Sequence, residues 1–338
     1  MKKIDKIETG FLNTRIHKLS NISKDLNCNI YIKRDDMTGF AFGGNKLRKL
    51  DYLIKDALDK DCDTLLTYGG PQTNHGRLTA SVASRFGMKC IILMDGKKPK
   101  EDTGNLILDK MMNADLYFID DTEVKEDEKS ESKKDILRKT VIKKYEKQGH
   151  KVYEIPVGGS SELGILGYFD AIEEINNQSI NLNIEFDYIL CGYGSAGTYG
   201  GLLLGKKYFN KKYKIIGIAV SEKSKEQIFN HIEYMNSAAE KYEMNINIIE
   251  KDLWIEKDFV GKGYNIPDKE TRNTIYYVAN KEAVFLDPCY TGKAFRGMIS
   301  LIKEEKIQKN SNILFIHTGG TPGLYTKEHL IEIQKDLW

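Results

Sequence analysis

Lys46 stands where a lysine is electrostatically awkward. The stretch Phe40-Ala41-Phe42-Gly43-Gly44-Asn45 leads into a helical pattern over 45–59, which sets this amine in the first helical turn. The free N–H groups of a helix start repel a cation. Where water is also excluded, the ammonium pKa falls and the neutral amine becomes available. Attack on a carbonyl carbon to form a Schiff base needs that neutral form. With Arg48 and Lys49 adjacent, an exposed lysine on a basic helix is the plainer alternative.

Other segments place small polar residues between a strand pattern and a helix pattern. In 67–80, Gln72, Thr73, Asn74 and His75 crowd a helix start. Amide, hydroxyl and backbone donors there suit a carboxylate or a ring oxygen. An ordinary N-cap by Thr73 or Asn74, with a packed His75, uses the same residues. In 187–205, Gly194-Ser195-Ala196-Gly197-Thr198 follows an apolar run and is suited to cradle a phosphate. The letters Gly192-Tyr193-Gly194-Ser195-Ala196-Gly197 also spell a dinucleotide fingerprint. Glu222 then lies near the distance of a ribose contact. Residues 285–298 bring Tyr290, a candidate proton donor or acceptor, and 315–325 bring Thr318 before two glycines. A packed tyrosine and a plain turn are the simpler readings of that pair. Convergence matters more than any one motif, because parallel α/β sheets bind ligands beyond strand C-termini, at helix N-termini.

The elements needed to bring these turns together are legible. Strand candidates are 29–33, 64–68, 89–94, 115–119, 151–155, 187–191, 214–220, 283–286 and 312–317. Several are continuous apolar runs, the pattern of strands covered on both faces. Helical patterns lie near 45–59, 73–86, 103–113, 133–148, 161–177, 198–208, 222–241, 268–280, 292–306 and 326–336. Such alternation predicts parallel sheets with helices on both sides. The segment 121–139 is dense in charge and reads as a solvated loop running into a helix.

Size and composition bound the function classes. A chain of 338 residues has room for two domains, at roughly 150 residues each. A net charge of +2 gives no reason to expect nucleic acid or an anionic membrane as partner. The N-terminal MKKIDKIETG lacks a signal-peptide core, and no apolar run approaches membrane-spanning length. The cytoplasm is therefore the expected location. Five widely spaced cysteines without C-x-x-C suggest reduced thiols rather than disulfides or a zinc site.

From about residue 8 to residue 330 the chain resembles the D-cysteine desulfhydrase and 1-aminocyclopropane-1-carboxylate (ACC) deaminase family. The resemblance rests on GGNKLRKL (43–50), QTNHGR (72–77), GSAGT (194–198), DPCYTGKAFRG (287–297) and HTGGTPGLY (317–325), in the family's order and spacing. It implies a two-domain tryptophan-synthase-β-like α/β fold (fold type II), with parallel sheets flanked by helices and pyridoxal 5′-phosphate (PLP) between the domains. It implies PLP carried on Lys46, its ring hydroxyl at Asn74 and its phosphate at Gly194, Ser195, Ala196, Gly197 and Thr198. Thr318 comes near the pyridine nitrogen, Gln72 and Thr73 near the substrate carboxylate, and Tyr290 over the reacting carbon. A homodimer acting on a small amino acid is expected on the same ground. The smaller domain is expected over 49–164, inserted in a larger PLP-binding one of 1–48 and 165–338.

Three departures from the family pattern are visible. Thr73 replaces the usual serine, adding a methyl expected to narrow the pocket. ACC deaminases resemble one another in carrying glutamate after the tyrosine, and here that position is Thr291. Ala196 stands where glycine is common, a change that a negative φ would tolerate. The expected reaction is β-elimination, with D-cysteine giving pyruvate, ammonia and hydrogen sulfide. ACC deamination or elimination from cysteate or diaminopropionate is the alternative. A nicotinamide-dependent oxidoreductase and a silent PLP-binding protein are readings from other classes.

Overall fold

The structure, a computed structural model, describes residues 1–123 and 131–338. Its strands are β1 (Ile16–Lys18), β2 (Asn29–Lys33), β3 (Thr64–Gly69), β4 (Lys89–Met94), β5 (Asp115–Phe118), β6 (Val152–Glu154), β7 (Tyr188–Tyr193), β8 (Lys214–Ala219), β9 (Trp254–Glu256) and β10 (Asn312–Ile316). The helices are α1 (Ser20–Leu26), α2 (Lys46–Asp59), α3 (Asn74–Arg85), α4 (Asn105–Met111), α5 (Lys133–Lys147), α6 (Leu166–Leu182), α7 (Gly197–Tyr208), α8 (Lys225–Lys241), α9 (Lys269–Glu282), α10 (Thr291–Lys303) and α11 (Lys327–Leu337).

Two sheets result. The larger has the order β1-β2-β10-β7-β8-β9 and the smaller β5-β4-β3-β6. Every pairing is parallel except β1 with β2. The continuous apolar runs explain this burial: Leu65, Leu66, Ile91, Ile92, Ile216 and Phe315 have no exposed surface. Helices cover both faces of the larger sheet. Tyr168, Phe169, Leu202 and Met235 from α6, α7 and α8 pack on one face. Leu19, Ile275, Phe295 and Leu301 from the α1, α9 and α10 side pack on the other. In the smaller sheet, Leu50, Ile54, Leu78 and Leu106 cover one face, and Leu137, Val141 and Tyr145 of α5 the other.

One expected strand is absent. Residues 283–286 have Val284 and Leu286 buried and Phe285 58% exposed, the alternation of a strand, yet they pair with no strand. Ala283 closes α9 in a left-handed conformation (φ 52°), and the segment then runs singly beneath the core. The short edge strands β1 and β9, and helix α1, went unread in the sequence. Of the charged segment 121–139, residues 124–130 lie outside the described residues; α5 starts beyond them, with Ser132 accepting from Asp135 N–H as its cap. Each of the five cysteines is a free, buried thiol. Among the described residues no helix is long and apolar enough to cross a membrane.

A buried ion network fixes the start of α2. The Arg48 guanidinium donates to both oxygens of Asp35 (2.8 and 2.8 Å) and both of Glu174 (2.7 and 3.1 Å). Tyr168 OH and Thr14 OH donate to Asp35 as well, each at 2.6 Å. Lys33 Nζ donates to Glu174, to Gln178 Oε1 (2.9 Å) and to Thr14 O (2.9 Å). Strand β2, helix α2 and helix α6 are thereby joined one turn from Lys46.

Candidate active site

Lys46 is the first residue of α2, as its motif implies. The turn before it uses left-handed glycines, Gly43 (φ 58°) and Gly44 (φ 135°). A side chain on Gly43 would stand 2.4 Å from Asp36 O, so the turn needs a residue without one. Asn45 then reaches two ways. Its N–H donates to Thr318 O (3.1 Å), and its Nδ2 donates to Thr198 Oγ1 (2.9 Å). Lys46 is partly accessible, and burial pushes its ammonium down to about 8.

Lys49, one turn on, was not anticipated. It is fully buried, and burial together with the neighbouring Lys46 pushes its pKa well below the ordinary value. Its Nζ donates to Gly158 O (3.1 Å) and Ser160 Oγ (3.4 Å), and Ser160 Oγ lies 2.7 Å from Ser195 Oγ. A side chain on Gly197 would come within 2.4 Å of Lys49 Nζ, so the amine rests against the start of α7. Ala196 departs from expectation: its φ is +61°, not negative. The loop turns here to begin α7, and a left-handed alanine costs about 1–2 kcal/mol relative to ordinary helical backbone.

The β3–α3 turn supplies an oriented amide. Thr73 Oγ1 caps α3 by accepting from Gly76 N–H (3.1 Å). The Thr73 methyl lies where a side chain on Gly76 would stand, 2.4 Å from that position. Asn74 Oδ1 accepts from Arg77 Nη1 (2.8 Å) and Asn105 Nδ2 (2.9 Å). Gln72 is already engaged: Nε2 donates to Thr103 O (2.9 Å) and Oε1 accepts from Asn105 N–H (2.8 Å).

Tyr290 is held by Asp287. That carboxylate accepts from the N–H groups of Cys289, Tyr290 and Thr291 and from Thr291 Oγ1. Burial raises the Tyr290 phenol above its ordinary pKa. Its OH lies 2.8 Å from the OH of Tyr264, half-exposed at the rim. Lys293 Nζ donates to Val260 O (2.7 Å) and Gly263 O (2.8 Å), fixing the Tyr264 loop against α10.

A cavity of about 250 Å³ brings together Lys46, Thr73, Asn74, Gly194, Ser195 and Tyr290, with His75, Gly158, Lys223 and Tyr264 also on its wall. Gln72 faces a neighbouring groove of about 600 Å³ that shares Gly70, Thr73 and Tyr264 with it. Ala196, Gly197, Thr198 and Thr318 do not line this cavity. Lys46 and His75 line this space, Lys49 and Arg77 stand one hydrogen bond behind it through Gly158 and Asn74, and none of the four forms an ion pair among the described residues. Neither ring nitrogen of His75 has a hydrogen-bond partner. Burial pushes His75 and Lys49 toward their neutral forms, while Arg77, lowered only to about 10, keeps its charge, and a buried cation without a counter-ion is strongly unfavourable. The donor set therefore fits an anionic ligand.

Comparison with known proteins decides the family. A model described as "Pyridoxal-phosphate dependent enzyme" matches residues 7–319. The chain belongs to the pyridoxal-phosphate-dependent enzymes. The chain is 35% identical to a 1-aminocyclopropane-1-carboxylate deaminase of Bradyrhizobium diazoefficiens, covering 96% of this chain and 97% of that protein. It is 36% identical to a D-cysteine desulfhydrase of Yersinia enterocolitica, covering 92% of each. The crystal structure of an ACC deaminase homologue superposes with a TM-score of 0.84 at 33% identity, over 99% of this chain and 97% of that one. The fold is accordingly that of the fold type II PLP enzymes, and PLP is the cofactor. The dinucleotide reading of Gly192–Gly197 falls with that match.

Proposed function

We propose that this PLP enzyme is a carbon–sulfur lyase that removes the β-thiol of D-cysteine, yielding pyruvate, ammonia and hydrogen sulfide. Lys46 would hold the cofactor's aldehyde carbon, with Asn74 Nδ2 serving its ring oxygen and Thr318 its pyridine nitrogen. Gly194, Ser195, Ala196, Gly197 and Thr198 would hold the phosphate together with Lys49. Thr73 receives the substrate carboxylate, and Gln72 steadies the 103–105 loop beside it. The larger domain, 1–48 with 165–338, and the smaller, 49–164, close on this site from two sides.

Bound PLP supplies a sink for the electron pair left on Cα. The Lys46 amine would take the Cα proton; its lowered pKa leaves a useful neutral fraction near neutral pH. The Cβ–S bond breaks with its electron pair going to sulfur, and the Tyr290 phenol donates its proton there. The 2-aminoacrylate released to water hydrolyses to pyruvate and ammonia. The observation that carries the choice of substrate is Thr291. Its hydroxyl is committed to Asp287 (2.6 Å), so the position that bears glutamate in ACC deaminases offers no carboxylate here. The Bradyrhizobium relative favours ACC as the second reading.

A panel of D-cysteine, L-cysteine, β-chloro-D-alanine, cysteate, diaminopropionate and ACC, followed by 2-oxoacid formation, tests the assignment. D-cysteine is expected to show the highest kcat/KM among the natural compounds, and faster turnover of ACC would overturn it. Tyr290→Phe is expected to lower kcat on D-cysteine about 100-fold. It should cost β-chloro-D-alanine far less, since chloride leaves without a proton; equal losses on both would remove Tyr290 as the donor. Gly197→Ala pushes a methyl onto Lys49 Nζ and Ser160 Oγ. Its PLP affinity should fall about tenfold or more, a change of about 1.4 kcal/mol. Absorbance titration of the apoprotein reads this directly, and an unchanged Kd would detach Lys49 from the phosphate.

A further inference from the structure

We infer that Arg77 is a positioning residue that, acting through Asn74, keeps the cofactor's ring oxygen in its ionised form; this rests on PLP lying in the cavity with that oxygen at Asn74. Arg77 has no exposed surface. Its Nη1 donates to Asn74 Oδ1 (2.8 Å) and to Asn105 Oδ1, and its Nη2 donates to Gly43 O (2.9 Å). Asn105 Nδ2 adds a second donor to Asn74 Oδ1 (2.9 Å). Both lone-pair directions of that oxygen are therefore used, and the Asn74 amide cannot turn over without stranding two donors. Only its NH2 faces the cavity, and an NH2 can only donate. The group opposite it is held as an acceptor.

Charge points the same way. Arg77 forms no ion pair among the described residues, and its Nε has no partner. Two carboxyls bear on it from other elements. Asp109 of α4 has no hydrogen bond to either oxygen, and burial pushes it up to about 8, which weakens it as a counter-charge. Asp287 spends its charge on the start of α10. On the cavity side Lys46 and His75, with Lys49 behind them, supply no negative charge either. A buried guanidinium one hydrogen bond behind Asn74 thus lacks an anion, and an ionised ring oxygen supplies one. The bond to Gly43 O also ties this guanidinium to the turn that carries Lys46. One side chain therefore sets the spacing between the cofactor's covalent anchor and the amide facing its oxygen.

The absorption spectrum of the PLP-loaded protein reads the ionisation state, because the lysine-linked cofactor absorbs in the visible with an ionised ring oxygen and in the near ultraviolet with a neutral one. At neutral pH, Arg77→Met and Arg77→Gln should lower the visible-to-near-ultraviolet ratio about tenfold for each unit by which the oxygen's pKa rises. Arg77→Lys, which keeps the charge, should hold the ratio within about threefold of the parent. Arg77→Gln keeps a donor of similar shape, so it carries the comparison if the methionine variant does not fold. A glutamine variant loaded with one PLP per chain and showing the parent spectrum would overturn the inference. A PLP-loaded parent that absorbs only in the near ultraviolet would also overturn it, whereas a parent that takes up no PLP, or a Lys46→Ala protein that retains the visible band, would overturn the underlying cofactor placement instead.

Discussion

Lys46→Ala is expected to yield a colourless protein whose kcat is about 10³–10⁴-fold below the parent's, the usual scale for losing a positioned general base. The visible band should vanish because the covalent partner of the cofactor is gone. Lys49, one turn away, is not expected to substitute, since its amine is held by Gly158 O and Ser160 Oγ. Spectra of the purified variant and pyruvate formation from D-cysteine check both statements. A yellow, active Lys46→Ala protein would require a different anchoring lysine. The lowered pKa also has a cost in the apoprotein. The unfolded chain holds the Lys46 proton up to pH 10.5, the folded one only to about 8. Below pH 8 this penalty is fully present, at most about 3 kcal/mol, and it fades as pH rises toward 10.5. Lys46→Met apoprotein should therefore unfold at a higher temperature than parent apoprotein at pH 7, with the difference shrinking at pH 10.

Arg48→Met is expected to destabilise the fold by about 3–5 kcal/mol, because it strands Asp35 as a buried charge. Burial alone would raise the Asp35 carboxyl, yet the Arg48 guanidinium holds it well below the usual carboxylate range. A depressed carboxylate contributes stability above its unfolded value near 3.8, and loses it as pH falls through the folded one. The parent protein should thus lose stability below about pH 4, and Arg48→Met should have lost that portion at every pH. Urea unfolding at pH 7 and pH 3 measures this. Asp35→Asn added to Arg48→Met should recover part of the loss, and a single-variant loss under about 1 kcal/mol would sink the account.

Most of the architecture was legible because parallel strands buried on both faces are written as unbroken apolar runs, such as KCIILM and NILFI. What failed to read had weak or misleading patterns. IHK and WIE, the edge strands β1 and β9, are three residues long and half exposed. The run 283–286 has one buried face but no partner strand, a fact that only the tertiary structure contains. At the site, Lys46, Asn74 and Tyr290, which motif order singles out, line one cavity. Arg77 and Lys49 both stood inside quoted motifs, yet neither drew a role. Their meaning comes from burial without counter-ions, which needs coordinates. Ala196 shows the converse, a residue type that argued for one backbone conformation while the turn imposed the other.

The position of β10 bears on how the chain is made. This strand, last in chain order, lies between β2 and β7, with Asn312 beside Asn29 and Ile313 beside Tyr188. All strands of the smaller sheet lie between Thr64 and Glu154, so that sheet can assemble while synthesis continues. Strand β2 must wait for residues 312–316, on the order of half a minute at ~10 residues per second. Over that interval Ile30 and Ile32 of the nascent chain lie on an edge with no parallel neighbour, the kind of surface that holdase chaperones shield.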